Sequence, residues 1–167
     1  MKTFTFFTLS LAIVFMSAAP QSAPTPVTFH LFFMGHDIGR ETDTTTTTGS
    51  GSELQAAFHF LDRSTSVDLN GTLDLARDGS PQHLVVKGRN YRLFSSDSDV
   101  TIANGRAHVR DLAKETEVAL SGKPFFPIDN YAPFGVQEAL IQYWLSHGKP
   151  AEIAAAPSGP IRRCSRP

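Results

Sequence analysis

The chain has 167 residues, 41% hydrophobic and 19% charged, and a net charge of −1. That length supports one domain with a real core, and the charge balance offers no basic face, which excludes nucleic acid as the expected partner. The single cysteine, Cys164, lies in the tail RRCSRP with no histidine beside it. No internal disulfide is therefore expected, and the fold must be held by its core alone.

The first residues follow the pattern of an export signal. Lys2 supplies a positive start, and FTFFTLSLAIVFM, Phe4 to Met16, is an apolar run followed by the small residues SAAPQSAP. Residues 1–23 read as a signal peptide cut near Ala18 or within the next few positions. The run falls short of the roughly 20 residues that span a bilayer, so cleavage is expected over retention as an anchor. No cysteine follows it to carry a lipid. The mature chain is expected in the periplasm or outside the cell, with no membrane attachment once the signal is removed.

From Val27 to about Leu120 short strands alternate with tight turns. VTFHLFFM is β-branched and aromatic on both sides, as in a strand covered on both faces. GHDIG forms a turn, and RETDTTTTT is a strand favoured by its branched threonines and ended by GSGS. ELQAAFHFL alternates, with Ala56, Phe58 and Phe60 on one face.

VDLNGTLDLA poses a choice. A two-residue hairpin at Asn70-Gly71 would set apolar residues against Thr72 and Asp74. An unbroken strand keeps Val67, Leu69, Leu73 and Leu75 on one face. The unbroken strand is expected, with Gly71 inside it where something bulky packs close or a bulge forms. Turns at Asp78-Gly79 and Asn104-Gly105 follow. The second pairs Ile102 with Ala107 and Val100 with Val109, and KETEVAL adds a last strand. The count is about eight strands joined mostly by hairpins, without βαβ alternation, which makes an antiparallel meander.

KPFFPIDN is a Pro-bounded aromatic loop. Phe125, Phe126 and Tyr131 are expected to seal the mouth of the sheet or to line a groove for an apolar ligand or a partner. A helix follows over 133–147, with Pro133 in its first turn and Gly148 and Pro150 beyond its end. At about 100° per residue, Gly135, Glu138, Gln142 and Ser146 form one narrow polar strip. Phe134, Val136, Ala139, Leu140, Ile141, Tyr143, Trp144 and Leu145 take roughly two-thirds of the circumference, more than a flat sheet would cover. The expected core helix thus contributes Phe134, Val136, Leu140, Ile141, Tyr143, Trp144 and Leu145 as a plug in the concave face of a curled sheet, a half-barrel. The fold class is mainly β (α+β): residues 24–152 form the domain, and 153–167 a linker-like tail.

A search for chemistry returns little. His30, His36, His59, His83, His108 and His147 show no HxH, HxxxH or HExxH spacing, so no metal is expected. His59 and His108 read as surface residues of strands, and His147 suits the helix C-terminus. Asp97 and Asp99 of SSDSDV read as a solvated turn, because calcium loops need more oxygens. His36, Asp37, Arg40 and Glu41 read as a hairpin turn with a surface ion pair. No GxSxG, GxGxxG or GxxxxGK[ST] occurs, so no catalytic residue and no cofactor is expected.

The order of these segments has a wider likeness. GHDIGRE, FHFLDRSTSVDLNGTLDL, VKGRNYRLFSSDSDVTIANGRAHVRD and FFPIDNYAPFGVQEALIQYWLSHGKPAEI together resemble the N-terminal β domain of exported bacterial metal-dependent amidohydrolases. The likeness covers nearly all of the mature chain. It implies an accessory domain beside a (β/α)₈ barrel whose first metal-binding histidines are spaced HxH. No such motif stands in this sequence, so no catalytic residue carries over. The expected role is to support or position a catalytic domain in the same or a neighbouring chain. The alternatives are a stand-alone periplasmic carrier of an apolar ligand and a small hydrolase with a dispersed site.

Overall fold

A computed structural model describes residues 24–62, 65–89, 95–128 and 132–162. The expected signal peptide, Tyr131 and Cys164 lie outside the described residues. Eight strands run in chain order across one antiparallel sheet: β1 (Val27–Phe33), β2 (His36–Thr47), β3 (Gly51–Asp62), β4 (Thr65–Ala76), β5 (Pro81–Arg89), β6 (Ser95–Ala103), β7 (Arg106–Asp111) and β8 (Lys114–Ala119). The sheet is the predicted meander, open rather than closed into a barrel, with one helix, α1 (Phe134–Ser146), packed against it.

Period-two patterning sets the register. Leu54, Leu73, Leu84, Val100 and Val109 lie opposite one another across β3 to β7 and are all buried. A one-residue slip would turn every one of them to solvent. The Asn104-Gly105 turn pairs Ile102 with Ala107 and Val100 with Val109, as read from the sequence. Asn70-Gly71 does not turn; it runs through the middle of β4. A Cβ on Gly71 would stand 3.1 Å from Pro133 Cγ and 3.9 Å from Val136. The glycine is there because the start of α1 rests on it.

Two expectations are corrected. β1 is not covered on both faces: it is the edge strand, with Val27, Phe29, Phe32 and Phe33 exposed. Its apolar pattern reflects exposure at an edge, which hydropathy alone cannot tell from burial at a centre. Residues 153–167 are not simply a linker. β9 (Phe125–Ile128), α1 and β10 (Glu152–Pro157) make a βαβ unit in which β9 and β10 run parallel, and β11 (Ile161–Arg162) pairs with β10. This small sheet packs over β5 and β7, with Phe126, Ile128, Ile153 and Ala156 buried. The run of alanines is small because it lies in a tight layer.

The helix is also less enclosed than its wheel suggested. Val136 and Tyr143 are buried, and Leu140 and Trp144 are partly buried against the core. Phe134, Ile141 and Leu145 are exposed. The helix presses one face on the sheet and leaves part of its apolar surface outside, so it is not a plug held on several sides.

Candidate functional site

Glu41 sits on β2, where residues alternate between the helix face and the outer face. Its partners in register, Phe29 and Phe58, mark the helix face. Glu41 is completely buried. Its carboxylate accepts the backbone N–H of Phe134 at 2.7 Å and of Gly135 at 2.8 Å. Pro133 offers no side-chain cap, so β2 supplies one from across the fold. An anion at a helix N-terminus is favoured by the dipole and by these orphan donors. The hairpin reading of Glu41 is thereby corrected. The residue is five positions past the start of a twelve-residue strand, and its partners are more than 90 positions away in sequence.

Asp43 is the next helix-facing residue of β2. It is 7% exposed, and its Oδ1 has no hydrogen-bond partner. Gly135 is required above it: a Cβ there would fall 2.3 Å from Asp43 Oδ2. Burial pushes the Asp43 carboxyl up to about 7, helped by the charge of Glu41, a hydrogen bond to it, and the charge of Glu138. The carboxyl forms part of the wall of a groove of about 860 Å³ between α1 and the sheet. The polar strip recognised in the sequence, Gly135, Glu138, Gln142 and Ser146, lines this groove, opposite Val27, Phe29 and Leu54.

Phe125 and Phe126 are buried under α1 rather than open at a mouth. The Phe125 N–H donates to Tyr143 Oη at 3.2 Å, and the Phe126 and Tyr143 rings lie 5.5 Å apart. They pack into the core and are not among the lining residues of the groove beside α1. A smaller apolar hollow of about 170 Å³ lies on the other side of the helix, between Leu140, Ile141, Trp144 and Ile153.

The outer face of the sheet is a lattice of exposed ion pairs. His83 lies 2.9 Å from Asp99, His108 lies 3.1 Å from Glu117, and Arg110 reaches Asp97 through two nitrogens at 3.0 and 3.3 Å. Asp97 and Asp99 thus stand within β6, not in a turn, and the guanidinium of Arg110 holds the Asp97 carboxyl below the usual range. Ser66 donates to Asp68, which His59 also contacts. The acid stands in the middle and the histidine does not touch the serine, so this is not the order of a nucleophile and its base. No group of three metal-ligating side chains occurs among the described residues. No described helix is long and apolar enough to cross a membrane.

Comparison with family models, with curated proteins and with solved structures yields no match to this chain.

Proposed function

We propose that the chain is an exported, non-catalytic accessory domain that docks a catalytic domain through one end of its sheet. The observation that supports this is the contrast between the two ends. In a meander, alternate turns fall at the same end. One end presents Phe32, Phe33 and Met34, which are 65%, 64% and 85% exposed, together with exposed Leu61 and Leu112. The turns at the other end are Thr48-Gly49-Ser50, Asp78-Gly79-Ser80 and Asn104-Gly105. Scattered apolar residues are ordinary on a surface, whereas a row of them along one end suits a buried contact.

The resemblance to the front domain of exported amidohydrolases supplies the class of partner, a metal-dependent barrel in the same or a neighbouring chain. The experiment is to read the encoding DNA beyond codon 167 in all three frames, together with the adjoining genes. A barrel with an HxH motif is the expected result. Sequence unrelated to any hydrolase would overturn the reading. The groove beside α1 favours a second reading, a carrier of an apolar ligand.

A further inference from the structure

The groove beside α1 lacks one kind of group. Its walls are apolar at Val27, Phe29 and Leu54, and acidic at Asp43, Glu138 and Asp78. Among the described lining residues the single cation is Arg77, whose guanidinium is engaged by the Gly49 carbonyl. Glu41, the carboxylate beneath, is already satisfied by two backbone N–H groups. Asp43 is not. It is more than nine-tenths buried, stands in the groove wall, and keeps an oxygen without a donor. A buried acceptor in this state is destabilising, and a donor brought by a ligand would offset that. Glu138 and Asp78 favour a donor that is also positive. A bare metal ion does not fit, since no three ligating side chains converge among the described residues. An ammonium group does: it carries three donors on a compact charge, and the apolar walls suit a hydrocarbon body attached to it.

We propose that the α1 groove binds an apolar molecule bearing a primary amine, with the ammonium against Asp43 and the hydrocarbon on Val27, Phe29 and Leu54. The inference rests on the carrier reading and is independent of the docking role. It is tested by calorimetric titration of the full chain with n-octylamine and, separately, with 1-octanol, which has the same chain and no charge. Saturable octylamine binding at least tenfold tighter than octanol is expected. Asp43→Asn, which keeps the shape of the side chain, should remove that preference, and Leu54→Trp should block both ligands. Equal binding of amine and alcohol would overturn the amine assignment while leaving the carrier reading in place. Absence of binding by either would overturn both. An undiminished amine preference in a folded Asp43→Asn chain would also defeat the proposal. Because the comparison of amine with alcohol uses the unaltered chain, the test does not depend on the variant folding.

Discussion

Two carboxylates on one strand divide the work at the α1 terminus. Glu41 is complementary to the helix N-terminus, so its removal strands two buried donors. Glu41→Ala should cost about 3–5 kcal/mol in a denaturant melt, with loss of helical signal at 222 nm. Asp43 behaves in the opposite sense. Its folded carboxyl is raised from 3.8 to about 7, so the folded chain keeps a proton that the unfolded chain has lost. Stability should therefore fall as pH rises between those values and level off above them. At about 1.4 kcal/mol per unit, the decline is at most on the order of 4 kcal/mol. Asp43→Asn should abolish it and raise the melting temperature at pH 8; an unchanged slope would show that the proton resides elsewhere. The lowered carboxyls of Asp37, Asp68 and Asp97 act in the other direction, and only at more acid pH. Neither residue's role was legible in GHDIGRETD. A local window shows charges near a turn, but not that β2 continues through them or that a helix 93 residues later begins over Glu41.

The eight strands of the main sheet were readable because their pattern and their turns agree. Gly71 is the instructive case, since the hydrophobic register outweighed the Asn-Gly signal. The β9–α1–β10 unit was not readable. Its strands are short and rich in Ala and Pro, and their burial comes from parallel pairing across the helix. The wheel of α1 did isolate the strip Gly135, Glu138, Gln142 and Ser146, but it could not say that this strip faces a groove. It also overestimated burial, because it counts apolar residues and not what covers them. The mutational cost should follow the observed faces. Trp144 is half-buried, and its Nε1 donates to the Pro150 carbonyl at 2.9 Å. Trp144→Ala should cost about 2 kcal/mol, below the roughly 3–5 kcal/mol of a fully buried ring. Ile141→Ser and Leu145→Ser should stay within about 0.5 kcal/mol. If the three variants were equally damaging, the enclosed-plug geometry would be correct after all.

The molecule as a whole is polarised twice. Across its thickness, an apolar face carries α1 and the small sheet, while the outer face carries ion pairs that contribute little individually. Along the strands, one end has Gly, Asp, Asn and Ser turns and the other has Phe32, Phe33, Met34, Leu61 and Leu112. The two sheet edges differ as well. β8 bears Lys114, Glu115 and Glu117, the charges that discourage strand addition, whereas β1 bears His30 alone, already paired with Asp37. These asymmetries coincide at the β1–β2 hairpin, which is both an open edge and, among the described turns, the most apolar tip. Its residues do little for the fold, since they touch mainly solvent. Replacing Phe32, Phe33 and Met34 together with serine should therefore leave the urea midpoint nearly unchanged. The same replacement should reduce binding of a hydrophobic dye and concentration-dependent self-association, and under the proposed docking role it should abolish capture of a catalytic domain. A large drop in the midpoint would mean that these side chains pack into the domain. Docking would then have to be sought along the exposed face of α1, at Ile141 and Leu145.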